Sequence, residues 1–272
     1  MPALEMLPPL REVIKRYELM AKKSLGQHFL CDLNLTRRIA ELAGDLSDCT
    51  VFEIGPGPGG LTRSLLHTRA KKIIAIEKDR RCLAALEELV NISENRLEVL
   101  MADALEINLA DLANAPRAIV ANLPYNIATP LLLNWLHHMS DFRSMTLMFQ
   151  AEVADRLIAK PSNKAYGRLS VITQFCCHVK RVINIPARAF TPPPKVDSSV
   201  VHLVPRQQRQ HDVPLEKLEM VTAAAFGQRR KMLRSSLQAL GGEALLIRAR
   251  LDPTLRAEDL SVEDFENLVR KL

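Results

Sequence analysis

The chain has 272 residues, 47% of them hydrophobic and 25% charged, with a formal net charge of +6. That composition supports one large globular domain plus a small one and excludes a disordered, fibrous or repeat-built protein. No apolar run approaches the ~20 residues a membrane-spanning helix needs, so a cytoplasmic protein is expected, and the basic balance suits a polyanionic partner without identifying one.

Residues 1–21 read as a proline-containing leader with a short basic helical pattern at 10–17, an arm outside the main fold. Beyond it, β-rich runs at 50–54, 73–77, 97–101, 118–121 and 145–149 alternate with helical patterns at 61–70, 80–90 and 130–138. The last of these helices is expected to open with Thr129 as N-cap and Pro130 at its first position. Strand and helix alternating at this spacing imply a mostly parallel sheet covered on both faces, with ligands at the carboxyl ends of the strands. Helical patterns reaching 159 and at 169–178, then strands at 179–185 and 198–204, complete this part. Pro205 and the polar run 206–212 read as a linker to helices at 215–226, 231–240 and 262–272. The expected organisation is therefore an extension (1–21), an α/β domain (22–205) and a small all-helical domain (206–272). The five cysteines, Cys31, Cys49, Cys82, Cys176 and Cys177, are odd in number and lack CxxC or Cys/His spacing. Reduced thiols and no metal site are expected.

The segment from Val51 to Thr62 passes from a strand through Gly55, Gly57 and Gly59 into a helix, and those glycines allow a sharp turn and close approach to a ligand. A pyrophosphate cradle uses successive backbone N–H donors, and Pro56 and Pro58 remove two of them. A ligand without phosphates fits better, which disfavours an NAD oxidoreductase. Glu77, at the end of the next strand, is placed to accept from both hydroxyls of a ribose. Asp103, after the third strand, could accept from an adenine amino group or merely cap a turn.

The fourth strand ends in Asn122-Leu123-Pro124-Tyr125-Asn126-Ile127. An adenine N6 amine is a poor nucleophile because its lone pair is delocalised into the ring. If the Asn122 side-chain oxygen and the Leu123 carbonyl accept its two hydrogens, the nitrogen is drawn toward tetrahedral geometry and its lone pair turns toward a sulfonium-borne methyl group. Pro124 helps hold the preceding carbonyl outward, and Tyr125 offers a ring on which an extruded base can stack. Each segment taken singly also reads as ordinary turn geometry; their order in one chain favours a site.

In these residues the chain resembles the ribosomal RNA adenine dimethyltransferases, in particular the bacterial branch acting on two adjacent adenosines near the 3′ end of small-subunit RNA. The resemblance runs from Lys22 to about Leu237. It rests on Lys23-Ser24-Leu25-Gly26-Gln27-His28-Phe29-Leu30, on Glu53 to Gly57, on Asn122 to Ile127, on Phe190 to Val200 and on Phe226-Gly227-Gln228-Arg229-Arg230-Lys231. It implies a Rossmann-like, seven-stranded S-adenosylmethionine-dependent methyltransferase sheet with a small C-terminal helical domain. It further implies that His28 and Leu30, in a segment closing over the methionine part of the cofactor, join Gly55, Gly57, Glu77, Asp103 and Asn122 in binding S-adenosylmethionine. This chain carries His28 where many members have Asn. Phe190 would contact the face of the target base opposite Tyr125. Arg229, Arg230, Lys231 and Arg234 would form a phosphate-contacting surface at a helix start. The implied partner is 16S rRNA within an immature 30S subunit, met by a monomer. Two alternatives stay open: a large-subunit (23S) adenine N6-methyltransferase of the antibiotic-resistance type, and a largely non-catalytic assembly factor.

Overall fold

The computed structural model describes Leu4 and residues 6–21, 26–206 and 212–272. Lys22 to Leu25, which open the first family motif, and 207–211 of the expected linker lie outside the described residues. Contacts between Cα atoms divide the chain into two compact units, Met1–Ala151 with Lys180–Pro205, and Glu152–Val179 with Arg206–Leu272.

The first unit is built on a seven-stranded sheet. In chain order its strands are β2 (Thr50–Ile54), β3 (Lys72–Glu77), β4 (Leu97–Met101), β5 (Arg117–Asn122), β6 (Ser144–Gln150), β7 (Cys177–Ile185) and β9 (Ser198–Pro205), arranged β4-β3-β2-β5-β6-β9-β7. The first five are mutually parallel, and β9 runs antiparallel to β6. The mainly apolar strands β2 and β3 are buried almost throughout, as strands covered on both faces require, with Glu53 the one charged residue within the run of β2. Chain direction across the sheet reverses between β2 and β5, so the turns leaving those two strands flank a topological switch point, where open α/β sheets bind ligands. A two-stranded antiparallel pair, β1 (Phe29–Leu30) with β8 (Phe190–Thr191), joins segments far apart in sequence.

Helices α2 (Leu33–Leu42), α3 (Gly60–Leu66), α4 (Leu83–Ile92) and α5 (Tyr125–His137) connect the strands. The α2 helix, absent from the expected elements, opens on Asp32, whose carboxylate accepts from the Asn34 and Leu35 amides at 2.9 and 3.4 Å. The expected start of α5 at Thr129 and Pro130 is corrected: the helix begins at Tyr125, with Pro130 inside it. Pro130 has no N–H for the Asn126 carbonyl four residues earlier, but Asn126 is solvent-exposed, so water can satisfy that carbonyl. The helix therefore starts directly on the Asn122 to Ile127 motif.

The leader is a correction of another kind. Residues 10–16 form α1 (Leu10–Arg16), and Leu4, Leu10, Val13 and Leu19 are buried, three of them in a cluster shared with Leu65 and Leu86. Arg63 Nη1 donates to the Pro8 carbonyl at 2.7 Å, and the Tyr17 hydroxyl donates to Glu88 Oε1 at 2.5 Å. The spacing of Leu10 and Val13 puts both on one helix face, and their burial anchors what reads in sequence as a free arm. Replacing Leu10, 2% exposed, by Ala is expected to destabilise the protein by about 2 to 5 kcal/mol. In urea the unfolding midpoint should fall at constant slope; an unmoved midpoint would show that the leader is not packed.

The second unit contains most of α6 (Ala151–Ile158), then α7 (Arg168–Cys176), α8 (Leu215–Gly227), α9 (Leu233–Ser236), α10 (Gly242–Arg248) and α11 (Val262–Lys271). The chain crosses between units at 205/206, where the linker was expected, and also around 151 and 179, so residues 152–179 group with the C-terminal helices. The cause is packing, since α7 lies against α8 and α11. The expected helix at 231–240 is the single turn α9 followed by a 3₁₀ turn at Gln238–Leu240. No disulfide joins any of the five cysteines, and four of them are buried.

Candidate active site

A cavity of about 230 Å³ opens at the switch point of the sheet. Its walls are the glycine turn after β2, the end of β3, the Ala102 to Leu105 segment after β4, the Asn122 to Ile127 motif after β5 and the Gly26 to Leu30 segment. His28, Leu30, Gly55, Gly57, Glu77, Asp103, Asn122, Leu123 and Tyr125 all line it.

The glycine turn is closed on itself. Gly55 N–H donates to the Ile76 carbonyl at 2.9 Å, Gly57 N–H to Glu77 Oε2 at 3.0 Å and Gly59 N–H to the Pro56 carbonyl at 3.0 Å. With prolines at 56 and 58, every amide from 55 to 59 is either absent or committed, so this turn cannot cradle a phosphate. Gly55 and Gly57 have φ of +67° and +55°, a region L side chains disfavour, and a Cβ on Gly57 would lie 3.0 Å from the Phe29 ring.

Glu77 is 5% exposed, and its other oxygen accepts from Asp79 N–H at 2.7 Å. Burial raises its pKa, against the lowering effect of these backbone donors. Each carboxylate oxygen retains a lone pair for a ligand hydroxyl. Asp103 is ion-paired with Lys78 at 2.6 Å, which lowers its pKa, and its second oxygen accepts from Leu105 N–H at 3.0 Å. The Lys78 side chain is 64% exposed, so the pair contributes little and can open.

At the other end, the Asn122 Nδ2 group donates to the His28 carbonyl at 3.3 Å. Only the amide nitrogen can make that bond, so Oδ1 is the end available to accept from a ligand. Leu123 precedes Pro124, whose carbonyl is the first acceptor of α5, receiving Ile127 N–H at 3.1 Å. The Leu123 carbonyl thus lies outside the helical ladder. The Tyr125 hydroxyl is held by Ser198 Oγ at 2.6 Å, which anchors the far end of its ring.

Phe190 is placed otherwise than expected. It is 2% exposed, belongs to the buried core cluster and does not line the cavity. Pairing of Leu30 with Phe190 between β1 and β8 draws it inward. The aromatic neighbour of Tyr125 is His28, with ring centroids 5.5 Å apart, while Phe190 meets His28 edge-on at 6.5 Å. His28 Nδ1 lies 2.8 Å from the Pro192 carbonyl.

Two features escaped sequence reasoning. Glu53 is 1% exposed and lines the cavity, with Thr62 Oγ1 donating to its Oε2 at 2.7 Å. A charged residue inside the apolar run Val51 to Ile54 was the available signal. The second is Asp79, which accepts from Gln27 Nε2 at 3.0 Å and from Arg81 Nε at 3.0 Å, tying the Gly26 to Leu30 segment to the end of β3. The Arg81 guanidinium holds the Asp79 carboxyl down at about 2. A depressed carboxyl pKa stabilises the fold above the unfolded value near 4, and that stability is lost as pH falls toward 2. Asp79→Asn is accordingly expected to cost about 2 kcal/mol at neutral pH and almost nothing near pH 2. Urea titrations at both pH values test this; an equal loss at both would remove the ion pair as its cause.

Of the sequence-derived cations, Arg229 is engaged within its own unit, with Glu258 at 3.0 Å and the carbonyls of Lys164 and Tyr166 at 2.6 and 3.2 Å. Arg230, Lys231 and Arg234 are exposed, the first two in the connection between α8 and α9 rather than at a helix start.

Comparison with solved structures places this architecture. A dimethyladenosine transferase from Plasmodium falciparum has a TM-score of 0.76 at 27% identity, covering 89% of this chain and 96% of that one. The 23S rRNA methyltransferase ErmE has a TM-score of 0.68 at 29% identity, covering 90% and 99%. A seven-stranded sheet with this order, carrying its cavity between the glycine turn and the Asn122 motif, defines a methyltransferase. The family model for ribosomal RNA adenine dimethylase matches residues 19–272. The protein from Rhodospirillum rubrum called ribosomal RNA small subunit methyltransferase A is 58% identical over 265 residues, 97% of this chain and 92% of its own length. One of the same name from Chelativorans sp. is 53% identical over 275 residues, covering 99% and 100%. The chain belongs to the ribosomal RNA adenine dimethylase family.

Proposed function

We propose that this protein transfers methyl groups from S-adenosylmethionine to the N6 amines of two adjacent adenosines near the 3′ end of 16S rRNA, within an immature 30S subunit. The product is N6,N6-dimethyladenosine. The observation that carries this reading is the bond from the Asn122 amide nitrogen to the His28 carbonyl, which leaves an oxygen acceptor beside the Leu123 carbonyl.

The cavity suits the cofactor on its own chemistry: a turn with no amide to spare for phosphate, a buried carboxylate for a ribose diol, and an acidic wall for a cation. When bound, S-adenosylmethionine supplies an electrophilic methyl group. Glu77 holds the ribose, Asp103 accepts from the adenine amine once Lys78 moves aside, and the Gly26 to Leu30 segment covers the site and excludes water. Asn122 Oδ1 and the Leu123 carbonyl take the two hydrogens of the target amine, orient its lone pair and stabilise the positive charge that develops on nitrogen. Tyr125 supports the base through its anchored ring. No carboxylate lies in the 122–127 motif, so no general base is assigned; the proton left on N6 after transfer departs to water. Phe190 acts through His28, which it backs, rather than on the base itself. Arg230, Lys231 and Arg234 contact RNA phosphates, and Arg229 holds the surface that carries them. The protein works as a cytoplasmic monomer, and splayed-out loop bases are its least costly targets.

Relatives at 52 to 58% identity carry small-subunit names, whereas ErmE, a large-subunit enzyme, is 29% identical; this favours the small subunit. Incubating purified small-subunit precursors and large-subunit RNA with labelled cofactor tests the reading. Label on adenines of the small-subunit RNA is expected; label confined to the large-subunit RNA would overturn it.

A further inference from the structure

Glu53 takes no part in the chemistry assigned above, yet it is the most deeply buried carboxyl of the cavity wall. It sits at the end of β2, 1% exposed, with two uncharged donors, the Thr62 hydroxyl at 2.7 Å and the Thr62 backbone amide. On the adjacent strand Ala75 lies directly opposite it, and Glu77, another buried acid whose two oxygens are each bonded to a backbone amide, lies two residues further along, near enough for its charge to act on Glu53. The remaining titratable groups along the cavity are the Lys78–Asp103 pair at 2.6 Å, and His28 and Tyr125 at the acceptor end. Lys78 is the sole lysine or arginine among the described lining residues, and it is matched by Asp103. Two carboxyl groups therefore share a low-dielectric wall without a cation of their own, a situation in which one keeps its proton. Burial pushes Glu53 up to about 8, with the Glu77 charge adding to the effect.

Resting on the reading of this cavity as the S-adenosylmethionine site, we infer that Glu53 is a proton-linked charge sensor: neutral in the empty cavity, it ionises when a cationic ligand enters and so discriminates the sulfonium cofactor from its thioether product. S-adenosylmethionine carries one net positive charge, and S-adenosylhomocysteine, which has lost the sulfonium, carries none. A nearby opposite charge lowers a carboxyl pKa by about 1 to 3 units. Cofactor binding releases the Glu53 proton to solvent, and the product, lacking that charge, lets the carboxyl recover it. The preference for cofactor over product then grows with pH, as the proton that cofactor binding must displace becomes easier to lose.

Calorimetric titration of the full chain with each ligand, in phosphate and in Tris at pH 7, reads the protons exchanged directly. The expected result is release of a substantial fraction of a proton per S-adenosylmethionine and distinctly less per S-adenosylhomocysteine. The affinity ratio of the two ligands should rise by at least about sevenfold between pH 6 and 8.5. The near-isosteric Glu53→Gln variant should bind with buffer-independent heat and a flat ratio. Equal proton release for both ligands in the wild-type protein, or an unchanged pH slope in the variant, overturns the inference while leaving the cofactor reading intact. Binding of neither ligand overturns both.

Discussion

Asn122→Ala is expected to slow methyl transfer by about 10² to 10³-fold, the usual effect of removing one preorganised group that acts on charge developing in the transition state. The loss should fall mainly on kcat. The Leu123 carbonyl remains, the Tyr125 ring is still held by Ser198, and the cavity keeps Glu77 and the glycine turn. A smaller effect on cofactor binding is expected as well, because Asn122 also ties down the His28 carbonyl in the covering segment. Single-turnover kinetics with saturating cofactor and RNA, beside equilibrium binding of each, separates the two effects. Binding to small-subunit precursors should be largely kept, which also distinguishes an enzyme from a non-catalytic assembly factor. Full methylation by this variant would remove Asn122 from its assigned role.

Glu77→Ala is expected to weaken S-adenosylmethionine binding by at least about 100-fold. Two hydrogen bonds to a charged acceptor contribute about 1.5 to 3 kcal/mol each, and each 1.4 kcal/mol is tenfold in affinity. The same change orphans the amides of Gly57 and Asp79, both bonded to the Glu77 carboxylate, so a loss of roughly 1 to 3 kcal/mol in stability per amide accompanies it. Glu77→Gln should not rescue affinity. A carboxamide has one acceptor oxygen, and its NH₂ would face one of two backbone donors that now point at oxygens. Calorimetry reads affinity and thermal unfolding reads stability. Cofactor affinity equal to that of the unaltered protein would show that Glu77 does not hold the ribose.

The central strands and the cofactor turn were legible from sequence because they depend on local pattern. β2 and β3 are mainly apolar since both faces are covered, and Gly55 and Gly57 stand where φ is positive. The two prolines of the turn foretold a site without phosphate donors, and the structure adds that the three glycine amides are spent internally as well. The motif at 122–127 taken singly reads as turn geometry; what marked it in sequence was its place after the glycine turn and Glu77 in the same chain.

What the sequence could not determine are the features made by residues distant along the chain. The leader's burial depends on Arg63 and Glu88, some 55 and 71 residues beyond their partners Pro8 and Tyr17. The resemblance alone makes Phe190 a ring in the site, whereas its own chemistry reads more readily as core; its burial accompanies antiparallel pairing with Leu30, 160 positions earlier. The upward shift of the Glu53 carboxyl carries no sign in sequence, since it follows from burial and, secondarily, from the charge of Glu77 on the neighbouring strand. Local periodicity reports which face of an element is apolar. Which face meets which partner, and hence the charge state of a buried acid, exists only once the chain has closed on itself.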